Sequence, residues 1–327
     1  MGQLSVKDLT SLYYLTRKDI EAIFEKTREL KDKLRRGESY EPLKGRSMAM
    51  IFEKPSLRTR VSFEVAMTQL GGHAIYLKYP VKAPEEVRGF LSDVHMAEPL
   101  KDIARVLSRY VDVIVARTYA QETVDKLARY ADVPVINALT NDLHPCQTLA
   151  DLYTVLEKKG RLEGLKLAYI GDGGCNTAHS TMIGCAKMGM DITIGCPSSP
   201  DGRYEPRELY LKWAKEAAEE SGSKIEIVHD PVRAVEGADV IYTDTWVSMG
   251  MEAEMEERLR VFPPFQVNAE LLKHAKEDVI VLHCLPAYRG KEITEEVIEG
   301  PHSVVFDEAE NRLHTQKALL VLLLTEG

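Results

Sequence analysis

The chain has 327 residues, 44% of them hydrophobic and 28% charged, with a formal net charge of -9 at pH 7. That length suits two cores better than one, and the composition is that of a soluble globular protein. The acidic balance argues against nucleic acid or an anionic membrane as partner, since both call for a basic face.

No N-terminal stretch has the charged, apolar and small-residue order of a secretory signal. The longest apolar run, Ala318 to Leu324, is too short to span a bilayer. The five cysteines (Cys146, Cys175, Cys185, Cys196 and Cys284) are odd in number and lack CxxC pairing. A reducing, cytoplasmic setting is expected.

Residues 18–36 have the spacing of an amphipathic helix, with Ile20, Ile23, Phe24, Thr27, Leu30 and Leu34 on one face. Thr16 followed by Asp19 is a start signal for it. Met48 to Phe52 reads as a buried strand, which Pro55 ends. Ser56-Leu57-Arg58-Thr59-Arg60 then leads into a helix over Val61 to Leu70. A helix N-terminus offers unpaired N–H groups and partial positive charge. Ser56 and Thr59 add hydroxyl donors, and Arg58 adds a fork that fits phosphate. The plainer alternative is that Ser56 caps a helix and the arginines are solvated.

A strand over His73 to Leu77 follows, then a Pro-, Lys- and Glu-bearing loop over 78–99, long enough to be functional or mobile. Helix Asp102–Tyr110, strand Val111–Arg117, helix 121–131 and strand 134–137 complete an alternation that implies a parallel sheet covered on both faces. Ligands of such sheets gather beyond the strands' carboxyl ends. Arg58, Arg117 and His144-Pro145-Cys146-Gln147 all follow strand ends.

Thr148 to Lys159 reads as a bridging helix. A second alternation begins at Leu165 to Ile170 and continues through strands at 191–194, 225–228, 240–243 and 279–282, with a helix over 205–221. A short extended piece at 304–306 precedes a last helix over 308–325. The turn Gly171-Asp172-Gly173-Gly174-Cys175-Asn176 invites a dinucleotide reading, but the third glycine is misplaced. The acidic residue that should hold a ribose is also absent, since the next strand ends in Gly195-Cys196-Pro197. The turn is better read as a tight approach presenting Asn176 to a polar group.

Five segments in order carry a resemblance. They are Ser56-Leu57-Arg58-Thr59-Arg60, His144-Pro145-Cys146-Gln147, Asp244-Thr245-Trp246-Val247-Ser248-Met249-Gly250, His283-Cys284-Leu285-Pro286 and Glu310-Asn311-Arg312. Together they resemble the aspartate/ornithine carbamoyltransferase family over nearly the whole chain. The resemblance implies two domains, each a parallel β-sheet flanked by helices. Residues 1–147 would bind carbamoyl phosphate, completed by the C-terminal helix 308–327 packing back on them, and residues 148–307 would bind ornithine.

It further implies transfer of the carbamoyl group to the δ-amine of ornithine, giving citrulline and phosphate through a tetrahedral intermediate. Arg117, His144, Asp244 and Cys284 would be catalytic. Ser56, Leu57, Arg58, Thr59, Arg117, His144, Gln147, Cys284, Leu285 and Arg312 would bind carbamoyl phosphate. Asn176, Asp244, Ser248 and Met249 would bind ornithine. The resemblance calls for no metal or organic cofactor, and it implies a homotrimer, or a multiple of one, with shared active sites.

Two features depart from the family pattern: Leu57 stands where a threonine is usual, and the 78–99 loop lacks the family's Gln-Leu-Gly-Arg-Gly-Glu run. Only Glu98 matches the end of that run, and Lys82 or Arg88 is a candidate substitute contact. The same transfer to putrescine, lysine or an acylated ornithine is the alternative acceptor chemistry. The direction of the reaction stays open.

Overall fold

The structure is a computed structural model that describes residues 4–79, 98–248 and 251–325. Lys82, Arg88, Met249 and Gly250, and with them most of the 78–99 loop, lie outside the described residues. The chain divides into two compact units, Met1–Cys146 with Arg312–Gly327, and Gln147–Asn311.

The first unit holds α1 (Arg17–Arg35), β1 (Ser47–Phe52), α2 (Leu57–Gln69), β2 (His73–Lys78), α3 (Leu100–Tyr110), β3 (Val113–Arg117), α4 (Gln121–Tyr130) and β4 (Val135–Leu139). Its sheet is wholly parallel in the order β2-β1-β3-β4. β1 and β3 are buried because both faces are covered, whereas edge strand β2 is half exposed. Ile51, Ile114, Ala116, Val124, Leu127 and Val135 pack together as its core.

Helix α5 (Pro145–Lys159) carries the chain into the second unit. There follow β5 (Lys166–Ile170), α6 (Asn176–Lys187), β6 (Asp191–Gly195), α7 (Glu208–Ser221), β7 (Ile225–Val228), α8 (Pro231–Val235), β8 (Val240–Thr243), α9 (Met255–Val261), α10 (Ala269–Leu272), β9 (Ile280–His283), α11 (Glu295–Ile298) and α12 (Val305–Leu324). This sheet is also parallel, in the order β7-β6-β5-β8-β9. The return boundary falls inside α12, between Asn311 and Arg312.

Three local expectations need correction. Helix α2 begins at Leu57 rather than Val61, because Ser56 is extended and its Oγ accepts from the Thr59 N–H at 3.2 Å. Arg58 and Thr59 therefore ride on the first turn itself. Leu34 was expected on the buried face of α1 but is 40% exposed, one turn beyond the last core contact. The extended piece expected at 304–306 shrinks to one bridge, Val281 to Ser303, and Val305 already starts α12. A three-residue apolar run cannot by itself distinguish strand from helix.

The Thr16 signal is realised as a reciprocal cap. Its Oγ1 accepts from the Asp19 N–H at 3.1 Å, and an Asp19 carboxylate oxygen accepts from the Thr16 N–H at 2.7 Å. Replacing Thr16 by Ala is expected to lower unfolding stability by about 1 kcal/mol without changing activity, as denaturant titration and a turnover assay would show.

Candidate active site

In each unit the functional side chains leave the carboxyl ends of strands around a topological switch point, where chain order reverses across the sheet. In the first unit that point lies between β1 and β3. Phe52 pairs with Arg117, so the turn carrying Ser56 and the end of β3 emerge side by side. In the second unit it lies between β5 and β8. Ile170 pairs with Thr243 and Thr243 with His283, so Gly171, Asp244 and Cys284 are the next residues on three adjacent strands.

The first unit builds a seat of concentrated positive charge. The Thr59 hydroxyl is buried and accepts from Arg117 Nη1 at 3.3 Å and from Arg312 Nη2 at 3.4 Å. Gln316 takes the orientation in which its amide oxygen accepts from Arg312 Nη2 at 3.2 Å and Nε at 3.3 Å, while its nitrogen donates to Ser62 Oγ at 2.7 Å. Arg58 is half-buried on the same helical turn as Thr59. Arg60 turns away, ion-paired to Glu64 and lying over the Tyr76 ring. Leu57 is 75% exposed, so its side chain adds no buried contact and only its N–H at the helix start can serve an anion.

His144 is buried in this unit. Desolvation, reinforced by Arg312, Arg117, Lys54 and Arg58, holds its pKa well below the ordinary 6.5. The imidazole is therefore neutral at physiological pH, able to donate one hydrogen bond without carrying charge. Lys54 escaped the sequence reading. It is nearly fully buried, donates to Asn141 Oδ1 and lies over the Tyr119 ring at 4.4 Å. Its place between a strand end and Pro55 was the available signal.

The second unit gathers a second polar cluster at its strand ends. Asp244 Oδ2 accepts from Thr177 Oγ1 at 2.9 Å, and Oδ1 accepts from the Thr245 N–H at 2.7 Å. Thr177 Oγ1 also lies 3.1 Å from Asn176 Oδ1, which places Asn176 and Asp244 about one hydroxyl group. Thr177 was missed, although it directly follows Asn176. Ser248 is half-buried and its carbonyl accepts from the Met251 N–H at 3.0 Å.

Cys284 hydrogen-bonds to Asp244. Burial, with the negative charge of Asp244, Glu308 and Asp151, raises its pKa well above that of an ordinary thiol. The group is therefore a neutral thiol donating to a carboxylate. Leu285 follows with φ +57, a left-handed conformation costly for a branched side chain. Its N–H donates to His283 Nδ1 at 2.9 Å, so His283 Nε2 carries the ring proton, which it gives to Glu292 Oε1 at 3.1 Å. Glu292 also accepts from the Tyr288 N–H at 2.6 Å. Ligand atoms of Asp244, His283 and Cys284 lie within 4.8 Å of one another. A cation using the His283 ring would first have to break one of these two bonds.

Gln147 groups with the second unit, where its Nε2 donates to Asp151 Oδ1 at 2.7 Å and to Glu308 Oε1 at 2.8 Å. The glycine-rich turn is filled by the chain itself. A Cβ on Gly173 would lie 2.8 Å from the Tyr204 carbonyl, and one on Gly174 would lie 2.5 Å from the Arg203 carbonyl. These glycines admit a neighbouring backbone rather than a pyrophosphate. Asp172 is buried at the turn and meets Arg258 Nη1 at 2.6 Å, and the same nitrogen donates to the Trp246 carbonyl at 2.9 Å.

The two units correspond to two halves of one family. The model for the aspartate/ornithine carbamoyltransferase carbamoyl-P binding domain matches residues 7–157, and that for the Asp/Orn binding domain matches residues 163–323. The chain belongs to the aspartate/ornithine carbamoyltransferase family. It is 53% identical to the ornithine carbamoyltransferase of Pyrococcus abyssi over 98% of this chain and 96% of that one. It is 51% identical to the anabolic ornithine carbamoyltransferase of Pyrococcus furiosus, over 98% of this chain and 97% of that one. A solved structure of ornithine carbamoyltransferase from Pyrococcus furiosus matches with a TM-score of 0.91 at 51% identity, over 99% of each chain.

Two outcomes follow from the protonation states. The unfolded chain protonates His144 near pH 6.5 while the native protein does not, so this contribution to stability is complete above that pH and is lost as pH falls toward the depressed native value. The slope should be about 1.4 kcal/mol per pH unit, and His144→Asn should flatten it in denaturant titrations from about pH 7 to pH 5. Cys284 should react with iodoacetamide at about pH 8 at least ~10-fold more slowly than a free cysteine peptide, as mass spectrometry of quenched samples would show. Asp244→Asn should narrow that gap.

Proposed function

We propose that this protein transfers the carbamoyl group of carbamoyl phosphate to the δ-amine of L-ornithine, releasing L-citrulline and phosphate. The observation that carries the reading is the convergence of Arg117 and Arg312 on Thr59, at the N-terminus of a helix capped by Ser56. A dianionic phosphate needs such a seat, in which helix N–H groups, hydroxyls and guanidiniums act together.

In this reading Ser56, the Leu57 N–H, Arg58, Thr59, Arg117 and Arg312 hold the phosphate. Arg117, neutral His144 and Thr59 donate to the carbonyl oxygen as attack makes it an oxyanion. Asp244 takes the α-amine of ornithine, and Asn176, Ser248 and Met249 complete the amino-acid end. The δ-amine must attack as the free base. The Cys284 thiol, held by Asp244, and the Leu285 backbone fix where it points. Attack forms the C–N bond. Collapse of the tetrahedral intermediate breaks the C–O bond to phosphate, which leaves with the electron pair and accepts the proton shed by nitrogen.

The working assembly in this reading is a homotrimer or a multiple of one, and five unpaired cysteines suit a reducing cytoplasm. Among the described residues, no helix is long and apolar enough to cross a membrane. The biosynthetic direction is the one we favour, toward citrulline.

The test is phosphate and ureido-product formation with ornithine, putrescine, lysine, N-acetylornithine and aspartate side by side. Turnover with ornithine alone is expected, and turnover with a different amine only would overturn the acceptor assignment. Arg117→Ala should lower kcat by about 100-fold or more, the scale of losing one oxyanion donor.

A further inference from the structure

We infer that the cavity walled by α1, the end of α2 and α12, with Lys317 in its lining, is a binding site for a small carboxylate that carries a short apolar chain, separate from the anion seat at Thr59. The cavity has a volume of about 230 Å³, room for about seven waters. All of its lining residues belong to the first unit. Leu30, Leu34 and Tyr40 give it apolar walls, and Leu34 is the residue whose exposure departs from the amphipathic pattern of α1. Gln69 ends α2 while Thr59 lies in its first turn, a separation of about 15 Å along the helix axis.

Lys317 calls for an anion. It is only 4% exposed, and an ammonium has three hydrogens to give. Among the described residues it meets one polar partner, Gln69 Oε1 at 2.9 Å, and no carboxylate. Its charge is therefore buried with no opposite charge beside it, and burial holds its pKa below the ordinary 10.5. Two hydrogens remain, which the two oxygens of a carboxylate can share. Lys33 adds a second positive charge to the lining, 3.6 Å from a Glu29 oxygen and 4.9 Å from the centre of the Tyr40 ring. Glu38, the acidic member of the lining, is engaged by Arg36, whose Nε and Nη2 it meets at 2.6 and 3.3 Å. An amino acid fits less well, because its own ammonium would face two lysines. A nucleotide needs more room than this.

The experiment is calorimetric titration of the full chain, in its native assembly and at constant ionic strength, with acetate, butyrate and butyramide. The wild type, Lys317→Met and Arg117→Ala would be compared. Butyrate should bind at least ~10-fold more tightly than butyramide, which has the same chain and no charge. It should also bind about 10-fold more tightly than acetate, which has the charge and lacks the chain. Lys317→Met should lower butyrate affinity at least ~10-fold, whereas Arg117→Ala, which damages the seat at Thr59, should leave it within about threefold.

Replacing a buried charge that lacks an ionic partner by an apolar side chain should not lower the thermal midpoint of Lys317→Met, so lost binding can be told from lost folding. In the wild type, butyrate affinity should fall about tenfold per pH unit once pH passes the depressed pKa of Lys317, since butyrate itself stays ionised. Butyrate binding that is kept in Lys317→Met, absent from the wild type, or constant up to the ordinary lysine value of 10.5 would each overturn the inference. Equal affinity for acetate and butyrate would overturn the apolar part of the assignment. If Lys317→Met does not fold, the pH profile of the wild type decides the matter.

Discussion

Buried positive charge is the constraint around which the first unit is arranged. Lys54, Arg117 and Arg312 are each at least nine-tenths buried, and a charge taken out of water without compensation costs several kcal/mol on the order-of-magnitude scale of buried ions. The chain meets that cost with hydroxyls, amide oxygens and an aromatic face: Thr59, Gln316, Asn141 and Tyr119. These are acceptors of partial charge. A dianion is a stronger electrostatic partner than any of these partial charges. Burial, and after it the same crowding of positive charge, depresses the pKa of His144, which is useful because a neutral imidazole adds a donor without adding to the repulsion.

The second unit solves the opposite problem. Burial, and after it the negative charge of Asp244, Glu308 and Asp151, keeps the proton on the Cys284 thiol. Rigid hydrogen bonds then hold a backbone that would otherwise relax. Leu285 stays in its left-handed conformation because His283 takes its N–H, and Glu292 fixes His283. An interaction of this kind stores strain of about 1–3 kcal/mol and spends it on aim.

Much of this was legible in the sequence where physics acts locally. Strand and helix periods gave both sheets, and strand ends gave Arg117 and His144. Capping chemistry placed Ser56 but was underused, since the helix starts at Leu57. Helices α8, α10 and α11 have only four or five residues and so show no period to read. The roles of Thr177, Lys54, Glu292 and Glu308 were hidden for a different reason. Each depends on a polar partner supplied by another element, and a single sequence does not announce such pairs. The glycine-rich turn shows the converse: its residues suggested a ligand, and the packing of Arg203 and Tyr204 explains them instead.

Arg312 and Thr59 meet although 253 positions separate them in the chain. During synthesis from the N-terminus, residues 1–146 emerge first but lack the segment 312–327 that belongs to their unit. The second unit, in contrast, is a single stretch that can close as soon as it clears the ribosome. The nascent chain must therefore carry an unfinished first unit until Arg312 and the residues after it have been made. The buried cluster of Thr59, Arg117 and Arg312 is thus complete only after the second unit has been made, and chains that stop short of Arg312 lack one of its guanidiniums.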